Sequence, residues 1–118
     1  MVYADGFLLA VPKKNLRAYK TMAKKACVIW MDHGALQYHE CVGEDIEVKM
    51  CQPFTKAVKV KRGEVILFSW ILYKNRKHRD RVNAAVMKDE RMQPLMKGPM
   101  PFDMKRMHYG GFESIVDG

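Results

Sequence analysis

Glu64-Val65-Ile66-Leu67-Phe68-Ser69-Trp70-Ile71-Leu72-Tyr73 is the most strand-like stretch of the chain, rich in β-branched and aromatic residues and interrupted only by Ser69. Side chains alternate across a strand, so Val65, Leu67, Ile71 and Tyr73 fall on one face and Ile66, Phe68, Trp70 and Leu72 on the other. Both faces are apolar. A one-layer antiparallel sheet turns polar residues to water on its uncovered side. This strand predicts that both of its sides are covered.

Working outward, Arg62-Gly63 is a turn, and the preceding stretch Ile46 to Lys61, with Pro53 inside it, is predicted mostly irregular. Upstream, 35–42 (Ala-Leu-Gln-Tyr-His-Glu-Cys-Val) is a strand stopped by Gly43-Glu44-Asp45. From Lys13 to His33, Leu16, Tyr19, Ala23, Ala26, Cys27 and Trp30 recur every three or four residues as one buried helical stripe, ended by Gly34. Tyr3 to Val11 is a strand closed by Pro12, whose missing N–H cannot extend a ladder. Its row Tyr3, Phe7, Leu9 opposes a second apolar row, Ala4, Leu8, Ala10. Downstream, Asn75 caps a helix through Lys88 with Val82, Ala85 and Val86 inside. Pro94, Pro99 and Pro101 mark a connector, and Lys105 to Val116 is a last strand in which Gly110-Gly111 predicts a bulge or a close backbone approach.

The order βαββαβ predicts a ferredoxin-like α+β fold, with helices on one face of an antiparallel sheet whose first and third strands are central. The second apolar face predicts a homodimer packed sheet on sheet. The chain is a single domain of 118 residues, in which 21 Lys and Arg against 13 Asp and Glu leave a charge of +8. The longest apolar run falls far short of the ~20 residues of a membrane helix, and Met1 to Phe7 lacks a basic leader, so a soluble, cytoplasmic protein is expected. Three cysteines without C-x-x-C spacing support neither a disulfide framework nor a zinc ribbon.

Asp5-Gly6-Phe7, Ala10-Val11-Pro12, Gly34-Ala35-Leu36, Glu40-Cys41, Ala57-Val58-Lys59 with Phe54, Phe68-Ser69-Trp70, Arg79-Asp80 with Asn83, Pro101-Phe102-Asp103, Lys105-Arg106-Met107 and Tyr109-Gly110-Gly111-Phe112-Glu113 together resemble the YbaA-like family of small bacterial proteins of unknown function. The resemblance runs over the whole length. It implies a dimeric α+β barrel and no established reaction. Departures from the family's expected pattern fall at His39, His78 and His108, and at Lys74, Pro53 and Met104.

Phosphate loops, H-E-x-x-H helices, G-x-S-x-G elbows and dinucleotide fingerprints are missing, and His33, His39, His78 and His108 share no ligand spacing. No cofactor and no metal are expected. Asp5 and Ser69 are polar residues within apolar strands, and Arg106 and Tyr109 lie in the last strand. If Asp5 faces a cleft with Arg106 beside it, and Trp70 and Tyr109 form a wall, the set suits a small-molecule pocket, or proton abstraction of the kind found in cofactor-free monooxygenases and isomerases. The same residues also suit a structural ion pair at a strand end, the favoured reading. Arg79, Asp80 and Asn83, within one helical turn, and Asp103, after Pro101-Phe102, are read as fixing the dimer or the loop. Cys41 reads as a small apolar filler. The five methionines between Met92 and Met107 read as packing, with a soft binding wall as the alternative. Lys13, Lys14, Arg17, Lys20, Lys24 and Lys25 with Arg76, Lys77, Arg79 and Arg81 form a basic helix layer. A solvated face is favoured there over RNA or DNA binding, because no aromatic platform accompanies it.

Overall fold

The computed structural model describes residues 1–118. The chain forms β1 (Tyr3–Pro12), α1 (Leu16–Asp32), β2 (Gln37–Val42), α2 (Phe54–Val58), β3 (Glu64–Tyr73), α3 (Arg76–Lys88), α4 (Met92–Met96) and β4 (His108–Glu113). The strands make one antiparallel sheet in the order β2-β3-β1-β4. Thus β1 and β3 are central, and their register pairs Asp5 with Ile71, Phe7 with Ser69 and Leu9 with Leu67. Cross-strand partners point to the same side, so these six residues share one face. Leu9, Val11, Leu67, Ile71 and Tyr73 on that face are buried beneath Tyr19, Ala23 and Ile29 of α1 and Val82 and Val86 of α3.

The opposite face has a different cover. Val58 of α2 packs on Ala10 and Ile66, with Ile46 and Val60 beside it. The stretch predicted irregular therefore holds a short helix that covers one end of this face. Beyond it the face is open, with Leu8 and Trp70 partly exposed, Phe68 45% exposed and Phe112 63% exposed.

The ends of the elements follow from capping chemistry. α1 is entered through a 3-10 turn, Lys13–Asn15, and Gly34 leaves it at φ 105°, a conformation that costs a glycine little. Asn75 caps α3 by accepting from the His78 N–H at 2.8 Å, and His78 Nδ1 accepts from the Lys74 N–H at 2.9 Å. Burial, with Lys74 and Arg81 nearby, lowers the His78 pKa and keeps the ring an acceptor. The last strand begins later than expected: Asp103 accepts from the Lys105 N–H at 3.0 Å and holds Met104–Arg106 in a 3-10 turn. The pairs Asp5–Gly111 and Gly6–Gly110 are in continuous register, so there is no bulge. The close approach is present instead, since a Cβ at Gly111 would lie 2.9 Å from Cε1 and Cζ of Tyr3. No helix is long and apolar enough to cross a membrane.

Candidate functional site

Asp5 stands in the helix-facing row of β1 and is 1% exposed. Val82 and Val86 anchor α3 over this row, which brings Arg79 and Asn83, on the same helix face, down onto it. Arg79 Nη1 donates to Asp5 Oδ1 at 2.6 Å and to Tyr109 Oη at 3.0 Å, while Asn83 Nδ2 lies 3.4 Å from Asp5 Oδ2. Asn83 Oδ1 in turn accepts from Trp30 Nε1 at 3.0 Å and Tyr73 Oη at 3.1 Å. Arg79 Nε donates to Asp80 at 2.8 Å, and its guanidinium lies 4.9 Å from the Tyr3 ring centroid. Burial opposes the Arg79 charge, but Asp80 and Asp5 outweigh it and raise its pKa above the ordinary arginine value. The phenols of Tyr73 and Tyr109 are pushed up, first by burial and then by the Asp5 charge. Arg79 and Asn83 therefore organise the sheet-facing network, and Arg79 is withdrawn from the basic helix layer.

Arg106 does not meet Asp5. β4 pairs His108 with Leu8, so the residues before it continue toward the Pro12 and Glu64 end of the sheet, away from Asp5. There Arg106 makes a two-pronged pair with Glu64, Nη1 to Oε2 at 2.7 Å and Nη2 to Oε1 at 2.8 Å. This pair, with burial opposing it and the Lys61 N–H assisting, lowers the Glu64 carboxyl from 4.5 to about 2. A folded pKa below the unfolded one gives stability that is present above about 4.5 and lost as the pH falls toward 2. Glu64→Gln is expected to flatten this acid loss in urea unfolding followed across that window, at a cost of about 1–3 kcal/mol near neutrality. An unchanged acid limb would show that the pair is not the source.

Trp70 also lies apart from Asp5, on the open face, where it stacks on His39 at 4.8 Å and meets Phe68 at 5.6 Å between centroids. Of the residues grouped from sequence, Asp5, Ser69 and Tyr109 come together. They border a cavity of about 510 Å³ between sheet and helices. Its other side is built by Met22, Ala26 and Trp30 of α1, Met87 of α3, and the connector. All five connector methionines, Met92, Met96, Met100, Met104 and Met107, line it. Met96 is 62% and Met104 51% exposed, so these two form a wall rather than filled core.

A further group escaped the reading of the sequence. The register sets Glu40 beside Ser69 on the cavity side of the sheet. Its Oε1 accepts from Tyr19 Oη at 2.7 Å and its Oε2 from Tyr38 Oη at 2.8 Å. Burial, then the charge and hydrogen bond of Glu40, push both phenols up, so they stay protonated donors. Tyr38 and Glu40 are two apart on one strand face, a readable signal; Tyr19 arrives from α1. The histidines serve separate ends: His33 pairs with Asp89 at 2.8 Å, His39 stacks on Trp70, His78 bonds at the start of α3 and His108 borders the open face.

The molecule is thus an α+β protein whose helix-covered antiparallel sheet carries a buried carboxylate–guanidinium pair beneath a methionine-walled cavity. Residues 2–104 match the family described as "Protein of unknown function (DUF1428)", and the chain belongs to that family. It is 44% identical over 117 residues to the "Uncharacterized protein YbaA" of Escherichia coli (strain K12), covering 99% of each chain, and equally so to that of Shigella flexneri. Among solved structures, "De novo designed protein Foldit4" aligns at a TM-score of 0.47 and 10% identity, covering 96% of this chain and 97% of that one.

Proposed function

We propose that this protein binds a small, mainly apolar molecule in the cavity between sheet and helices. In this reading, two ferredoxin-like subunits join through their open sheet faces as an α+β barrel. The observation that carries the ligand reading is the cavity wall: 17 of its 22 lining residues are hydrophobic, and its volume is about 510 Å³. Ligand sites are typically concave, apolar and of this size, with a few polar groups to orient the occupant. Ser69, Tyr109 and Glu40 are such groups here. Flexible thioethers along the connector let the wall adjust to its guest.

An enzymatic role for Asp5 as a base fits less well, because its carboxylate is occupied by Arg79 at 2.6 Å. RNA or DNA binding has weaker support than a ligand. The basic residues of α1 are exposed, but its aromatics Tyr19 and Trp30 turn into the core and cavity.

Two measurements test the proposal. A native mass spectrum of protein purified at low salt is expected to show a dimer, with added small-molecule mass where a ligand copurifies; bound oligonucleotide would favour the basic-helix reading instead. Second, Trp70→Phe leaves Trp30 as the reporter inside the cavity. The neutral probe N-phenyl-1-naphthylamine is expected to quench it, and Ala26→Phe, which fills the cavity, to weaken that quenching at least about tenfold. Equal affinity in both proteins would place the probe elsewhere and remove the cavity as its site.

A further inference from the structure

Resting on the ligand reading above, we infer that the preferred occupant is an organic cation, a protonated amine carried on an apolar body, with Glu40 as its counter-charge. Two charged groups of the cavity region, Asp5 and Arg79, neutralise each other at 2.6 Å. Glu40 has no such partner: it takes part in no ion pair within 4.0 Å. Lys20 and Lys24 line a second hollow of about 430 Å³ that Glu40 also borders, and neither forms an ion pair with it. Its two contacts are neutral phenols, one on each oxygen. A carboxylate offers about four acceptor positions, so acceptor capacity remains after both phenols have bonded.

A half-buried carboxylate without a cation is costly, and an ammonium group relieves that cost through a charge-assisted hydrogen bond. The neighbours suit the same guest. Tyr19 is edge-on to Phe102 at 5.6 Å, and Tyr38 lies 6.1 Å from Trp30, so aromatic rings border the carboxylate on two sides. Such rings attract cations through their faces. The methionines beyond them accept the apolar body. Burial, and after it the Glu40 charge, raise the Cys27 pKa. The +8 charge of the chain opposes a cation at long range, so the preference arises inside the cavity and persists as salt screens the outer field.

The test compares three probes of one shape by calorimetry at pH 7: 2-phenylethylammonium, 2-phenylethanol and 3-phenylpropionate. The cation is expected to bind at least about tenfold more tightly than the alcohol, and the anion most weakly. Glu40→Gln is expected to erase the preference for the cation, bringing the affinities of cation and alcohol for that variant to within about twofold of each other. The wild-type ranking stands on its own should that variant fold poorly. An alcohol that binds as tightly as the cation overturns the assignment of charge and leaves the apolar cavity in place. If no probe binds, the assignment falls together with the ligand reading. A cation preference unchanged in Glu40→Gln would assign the selectivity to another group and overturn the role of Glu40.

Discussion

Arg79→Ala is expected to destabilise the folded chain by about 3–5 kcal/mol, the usual cost of removing one partner from a buried ion pair. Asp5 would be left without a cationic partner, with Asn83 at 3.4 Å, in a position that is 1% exposed. The loss extends beyond the charge, because the guanidinium also holds Tyr109 and Asp80 and lies over the ring of Tyr3. Arg79→Lys is expected to recover part of the stability. A single ammonium can neutralise Asp5 but cannot span those partners with a planar fork. Adding Asp5→Asn to Arg79→Ala removes the stranded charge and is expected to restore part of the loss, which a double-mutant cycle in urea unfolding would measure. A cost below about 1 kcal/mol for Arg79→Ala would mean that Asp5 is readily hydrated from the cavity. It would then be available to an occupant, and the enzymatic reading would regain ground.

How much of this network was legible depends on whether one element or two had to be read. Arg79 and Asn83 are i, i+4 on one helix, so their shared face follows from helical geometry, as does the Asn75 cap. Their meeting with Asp5 depends on how α3 lies across β1, which local periodicity does not specify. Trp70 is a sharper case. Once Asp5 pairs with Ile71, parity sends Trp70 to the opposite face, but that register is a long-range fact. Arg106 is a case of the same kind: the register sets Gly111, five residues further along, opposite Asp5, and the Asp103 cap with its 3-10 turn delays the start of pairing to His108. The helix Phe54–Val58 is too short to be stable by propensity, and Val58 packing on Ala10 and Ile66 supplies what its sequence lacks. The connector methionines read as filler in the sequence because Met fills gaps by default; their exposure beside the cavity appears only when α1 and α3 are in place.

The two-sided hydrophobicity of β3 leads to the other large effect. Phe68→Asp together with Phe112→Asp is expected to convert the proposed dimer to monomer, raising the dissociation constant at least about 1,000-fold in sedimentation experiments. Phe112 covers the backbone at Gly6 and Gly110, and Phe68 reaches Trp70 and Phe54, so the pair spans the open face from β4 to α2. Both side chains are already 45% or more exposed in the single chain, and the variant is expected to keep its fold. Aspartate is the informative choice, because each subunit carries +8 and added acid reduces repulsion between the copies. Dissociation would then reflect desolvated carboxylates in place of apolar contacts rather than charge repulsion. The cavity lies on the other side of the sheet, so Trp30 quenching should survive in the monomer. A variant as tightly dimeric as the parent would move the interface off this face, and a monomeric parent would leave α2 as the only cover the open face needs.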